Sequence, residues 1–95
     1  MSIPIAAERR VLSEADQALV AASHYPTLGT LPPEEVQALA RRLRERHEAL
    51  REQLRAWRRA RRGRDQAPPA PPEEAATVKK QIFAAALRRV NKRLS

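Results

Sequence analysis

Residues 33–62 run for thirty positions with no glycine and no proline after Pro33. A stretch of that length without a breaker can hardly be anything but one helix, about 45 Å long at ~1.5 Å per residue. Its start is marked by Pro33, which costs little in a first turn, and by Glu34 and Glu35, which face the positive end of the helix dipole. Gly63 marks its end. Val36, Leu43, Leu50 and Trp57 recur every seven residues, with Ala40, His47 and Leu54 offset by four. This narrow, coiled-coil-like seam suits one or two partner helices.

Two further helices are legible around it. In "LSEADQALVAAS", Ser13 is a candidate N-cap, with Asp16 completing a shortened capping box. Leu12, Ala15, Leu19 and Ala22 predict an apolar stripe on a helix over 13–24, which Pro26 brings to an end. "YPTLGTLPP" reads as a connector in which Gly29 permits a turn. Residues 63–72, "GRDQAPPAPP", have the composition of an extended, semi-rigid interhelical linker. The last helix is expected over 73–94. Glu73 and Glu74 favour its start, and Arg88, Arg89, Lys92 and Arg93 its end. Phe83, Leu87, Val90 and Leu94 form its seam, widened by Val78, Ile82 and Ala86.

The expected fold is therefore all-α: a short helix followed by a long antiparallel helical hairpin, three helices in one small domain spanning 1–95. No two-residue alternation persists, so no strand is expected. Both connections are long and bear proline, which fits a helix-turn-helix poorly.

Composition narrows the function classes. There is no cysteine, which excludes disulfides, a thiolate nucleophile and cysteine-bound zinc. The N-terminal "MSIPIAAERRVLSE" lacks a basic region followed by an apolar run, so no secretory signal is expected. "ALVAA" and "IFAAAL" are far too short to span a bilayer. A cytoplasmic protein without a membrane role is the expectation. His24 and His47, the two histidines, sit beside no metal-ligand cluster, and no glycine-rich phosphate loop exists. The paired glutamates are explained as helix starts. Accordingly no catalytic residue, metal ligand or cofactor is assigned, and the chain does not read as an enzyme. His47 reads as a packed seam residue satisfied by a neighbouring carboxylate.

What remains is charge. The net of +8 is uneven: residues 31–64 hold eleven basic and five acidic residues, whereas residues 1–30 hold two and three. In "RAWRRARRGR", residues 55–64, six of ten are arginine and none is acidic. On a helix, Arg55, Arg58, Arg59 and Arg62 fall on one stripe, continued upstream by Arg41, Arg44 and Arg51 for ~31 Å. Earlier arginines have acidic neighbours at helical spacing, in the pairs Arg41 with Glu45, Arg44 with Glu48 and Glu48 with Arg51. Such clustering predicts a nucleic-acid-binding protein that contacts the phosphates of DNA or RNA. The residues expected to do so are Arg55, Arg58, Arg59, Arg61, Arg62 and Arg64, with Lys79, Lys80, Arg88 and Lys92 secondary. The alternative is a helical protein-interaction module or subunit that takes a partner helix, or a second copy, through Leu43, Leu50, Leu54 and Trp57. The bland reading of the arginines is a solvated helix end, since cations are favoured there by the dipole anyway. Trp57 reads as a packing residue rather than a base-stacking one. Whether the seam is covered within one chain separates the two functional readings.

Overall fold

The computed structural model describes residues 10–62 and 71–95. Among them are four helices and no strand: α1 (Glu14–Ala21), α2 (Thr27–Thr30), α3 (Pro33–Arg62) and α4 (Pro71–Leu94). The last two form the antiparallel hairpin, and α1 packs across it. The molecule is an elongated body of 50 × 23 × 23 Å, whose long dimension is set by α3.

α3 begins and ends where its sequence dictates. Pro33 is its first residue, and the Pro32 carbonyl accepts from the Glu35 and Val36 amides, each at 3.0 Å. The expected seam is the buried one: Val36, Ala40, Leu43, Leu50 and Leu54 are buried, and Trp57 packs against the core half-buried. Leu39 is buried as well. α4 covers this seam with Ala76, Ile82, Phe83, Ala86 and Val90, while Leu94, expected on the seam, is 40% exposed at the helix end. Fully burying a side chain such as Leu43 or Phe83 is worth roughly 1.5–3 kcal/mol, so the hairpin interface is where most of the stability lies.

α4 starts two residues earlier than expected. Pro71 and Pro72 are not linker but the first helical residues, a place where a missing amide hydrogen costs nothing. The other residues assigned to the linker, 63–70, lie outside the described residues.

α1 departs more from expectation. Ser13 is the N-cap, its hydroxyl accepting from the Asp16 amide at 3.2 Å. However, only Leu12 of the predicted stripe is buried; the inward register continues through Asp16, Val20 and Ser23, each one position after the expected residue, and Ala15 is exposed. Both polar residues in that register are met by arginines from the hairpin. Asp16 accepts from Arg46 Nε at 3.2 Å and Nη2 at 3.0 Å, a forked pair. Ser23 is fully buried, and Arg89 donates to its carbonyl at 3.1 Å and to its hydroxyl oxygen at 2.8 Å. Arg46 also lies 5.9 Å from the centre of the Phe83 ring, so it touches α1 and α4 from α3.

The helix stops at Ala21 rather than near His24 because the chain tightens there. The Ser23 and His24 amides reach back only three residues, and the Ser23 hydroxyl takes the Val20 carbonyl at 2.5 Å. The connector is not irregular either. α2 occupies it, with Leu28 fully buried and Gly29 helical, so the glycine supplies no turn. A Cβ at Gly29 would come to 3.4 Å from the Tyr25 ring, which lies over it.

Leu43→Ala is expected to lower unfolding free energy by about 3 kcal/mol through the lost contacts and the cavity left in the seam. Leu94→Ala, at an exposed end, should cost less than about 1 kcal/mol. Urea unfolding of the two variants measures the contrast.

Candidate nucleic-acid interface

The arginines at the end of α3 do not share one environment. Arg58, Arg59 and Arg62 are exposed and make no ion pair with any described residue. Arg55 is engaged: its guanidinium lies 2.6 Å from Glu52 and 3.7 Å from Glu48. Although no acid follows Gln53 in this helix, the carboxylates of the preceding turns reach forward. Arg51 pairs with Glu48 at 3.5 Å as expected. The expected pairs of Arg41 with Glu45 and Arg44 with Glu48 are not formed. Pairs of this exposed kind contribute a few tenths of a kcal/mol, so their effect is on local charge, not on stability.

Arg61 is turned inward. It stands seven residues after Leu54 and therefore on the seam side of α3, where its Nη2 meets Glu73 Oε1 of α4 at 2.6 Å. The Glu73 side chain is 6% exposed and that of Arg61 31%. Glu73 thus does more than complement a helix dipole: it ties the first turn of α4 to the last turns of α3. Arg64 lies outside the described residues.

On α4, Lys80 faces the hairpin groove, together with Thr77, Gln81 and Ala84. Opposite them on α3 stand His47, Arg51, Leu54 and Arg58, and the groove they enclose has a volume of about 620 Å³. Arg88 is seven residues beyond Gln81 and Lys92 eleven, so both continue the Gln81 face of α4. Lys79 is one position from Lys80, about 100° around the helix, and is not part of that face. The structure therefore brings Arg58 and Lys80 together, leaves Arg59 and Arg62 on the adjoining outer surface, and sets Lys79 apart.

His47 is half-buried on this groove, and no carboxylate satisfies it. Burial chiefly, then the Lys80 and Arg51 charges, hold its pKa below the ordinary 6.5, and Glu48 opposes them only weakly. His47 and Gln81 were not among the expected contact residues. The helical spacing of His47, Arg51 and Arg58 was available in the sequence, but the register that sets Lys80 and Gln81 opposite them belongs to the folded hairpin.

A second concavity, of about 470 Å³, lies between α1 and α3. It is walled by Ala15, Ala18, Leu19 and Ala22 on one side and by Leu31, Ala38 and Leu39 on the other, with Glu35 and Arg42 at its polar parts. Of the stripe predicted for α1, Leu12 joins the core, whereas Ala15, Leu19 and Ala22 line this hollow, Leu19 and Ala22 also packing against the core. Among the described residues no group of three or more His, Asp or Glu side chains could hold a metal ion. No helix among them is long and apolar enough to cross a membrane. Comparison with known protein families, with curated proteins and with solved structures found no match.

Arg61→Gln should cost about 2 kcal/mol, because it leaves the Glu73 carboxylate buried without its partner. Adding Glu73→Gln should restore part of that loss, and a double-mutant cycle in urea measures the coupling. His47 gives a pH dependence of known sign. The unfolded chain takes up its proton near pH 6.5, the folded chain only at lower pH, so protonation works against the fold. Stability should fall as pH drops below about 6.5, and the loss should be complete once pH passes the depressed folded value. His47→Gln should show a flatter stability profile than wild type below that pH.

Proposed function

We propose that the chain binds nucleic acid, contacting phosphates through the last turns of α3. One observation carries the reading: the apolar seam of α3 is covered within the chain, while Arg58, Arg59 and Arg62 face solvent without a described carboxylate partner. Like charges within two turns of one helix repel, and a polyanion relieves that repulsion while releasing its own counterions. Guanidinium groups suit this task because they hold phosphate oxygens in pairs. Arg55 ranks below the other three, since Glu52 and Glu48 already share its charge. Arg61 ranks lowest, since its reach is directed at Glu73. Arg88, Lys92 and Lys80 extend the basic surface onto α4.

A partner helix, or a second copy, that used Leu43, Leu50 or Leu54 would have to displace α4, because these residues are at most 5% exposed. That ranks the protein-module reading second. The proposal assigns a binding role and no reaction, and a cytoplasmic setting goes with it. Contacts through phosphates carry no sequence preference of their own, so binding is expected to be indifferent to sequence.

The test is affinity for a duplex DNA fragment at several salt concentrations. Wild type should weaken steeply with salt. The triple variant Arg58→Gln, Arg59→Gln, Arg62→Gln should bind more weakly, with a log–log slope shallower by about three units. Arg55→Gln alone should change the slope less than Arg58→Gln alone. Thermal stability should hold in every variant, since none loses a core contact. A triple variant that binds like wild type, or a wild type that does not bind at physiological salt, makes these arginines a solvated helix end.

A further inference from the structure

We propose that the groove between α3 and α4 is a discrete phosphate-binding site, in which Arg51 and Arg58 on one wall and Lys80 on the other close on phosphate groups of the bound strand. This deepens the nucleic-acid reading and rests on it for the natural ligand. The site differs from the outer surface of Arg59 and Arg62 because it has two walls, with Arg58 at the edge between them.

Its dimensions suit the chemistry. About 620 Å³ is nucleotide-sized space, within the range of ordinary ligand clefts. His47, Arg51 and Arg58 stand at i, i+4 and i+11 on α3, so that wall spans ~16 Å along the helix axis. A wall of that length matches a short run of backbone and exceeds a lone ion.

The charges are arranged to leave a positive field inside. On the α3 wall the carboxylate beside them is Glu48, which is shared between Arg51 and Arg55. Arg58 and Lys80 make no ion pair with a described residue. Gln81 adds an amide donor at the rim, whereas the Thr77 hydroxyl is directed at the Glu73 carbonyl at 3.0 Å and contributes only its bulk.

His47 senses this field. Three charged groups act on it: Lys80 from α4, and Arg51 and Glu48 from α3, and the two cations outweigh the carboxylate. A phosphate seated in the groove reverses that balance and favours the imidazolium. By linkage, the site then binds phosphate more tightly as pH falls, since each ligand promotes the other to the same extent.

The experiment follows the His47 ring signals by NMR against pH in the full chain, without ligand, with millimolar inorganic pyrophosphate, and with sodium chloride at matching ionic strength. Pyrophosphate should raise the His47 midpoint well beyond the effect of chloride. Lys80→Gln should raise the midpoint without ligand and weaken pyrophosphate by at least about fivefold. Arg59→Gln, outside the groove, should leave the pyrophosphate effect intact. A pyrophosphate effect no larger than that of chloride overturns the site, and so does a Lys80→Gln variant that binds pyrophosphate like wild type. If the site fails while duplex DNA still binds with a steep salt slope, the nucleic-acid reading survives on the outer arginines. If pyrophosphate moves His47 but no nucleic acid binds, the site stands as a small-phosphate site and the nucleic-acid reading falls.

Discussion

Burial of one narrow stripe of α3 under α4 decides most of what the molecule is. α3 is thirty residues long and highly charged, so only one face of it can leave water. That face carries Val36, Ala40, Leu43, Leu50 and Leu54, and α4 answers with Ile82, Phe83, Ala86 and Val90. Each large residue there is worth more than the exposed ion pairs of α3 taken singly. Once the stripe is fixed, every other side chain on α3 is placed by rotation alone. Arg61 falls inward to Glu73, Arg51 and Arg58 fall at the groove edge, and Arg59 and Arg62 fall on the outer surface.

The parts legible in the sequence are those governed by local spacing. α3 needed only an unbroken run and a proline start, and the seven-residue recurrence on it marked the buried face. α4 follows its local pattern apart from its first two residues, where proline reads as a breaker yet occupies the turn in which it is tolerated. Beyond Leu12, the inward side of α1 departs from its apolar spacing because two of its residues, Asp16 and Ser23, are polar. Their partners Arg46 and Arg89 lie 30 and 66 positions away, and local periodicity carries no trace of them. α2 is a single short turn, too brief to show any period, although Leu28 on it is fully buried.

The candidate site divides along the same line. That α3 ends in a cluster of arginines is plain from composition. Which of them are already engaged is partly readable: Glu52 and Arg55 are three apart, and Arg61 is seven from Leu54. The pairing of Arg61 with Glu73 and the facing of Lys80 toward His47 both depend on how the hairpin closes. No count of charges along the chain gives that alignment.

The junction where three helices meet, around Arg46, lies near the middle of α3, while Arg58, Arg59 and Arg62 lie ~18 Å or more further along the same rod. The three-helix junction and the exposed arginines therefore lie at different points along one helix. Substitutions near the junction disturb packing toward both α1 and α4. On the outer surface of the tip, Arg58, Arg59 or Arg62 can become lysine or glutamine without touching the core. Selection can thus adjust the strength of attraction in small, independent steps.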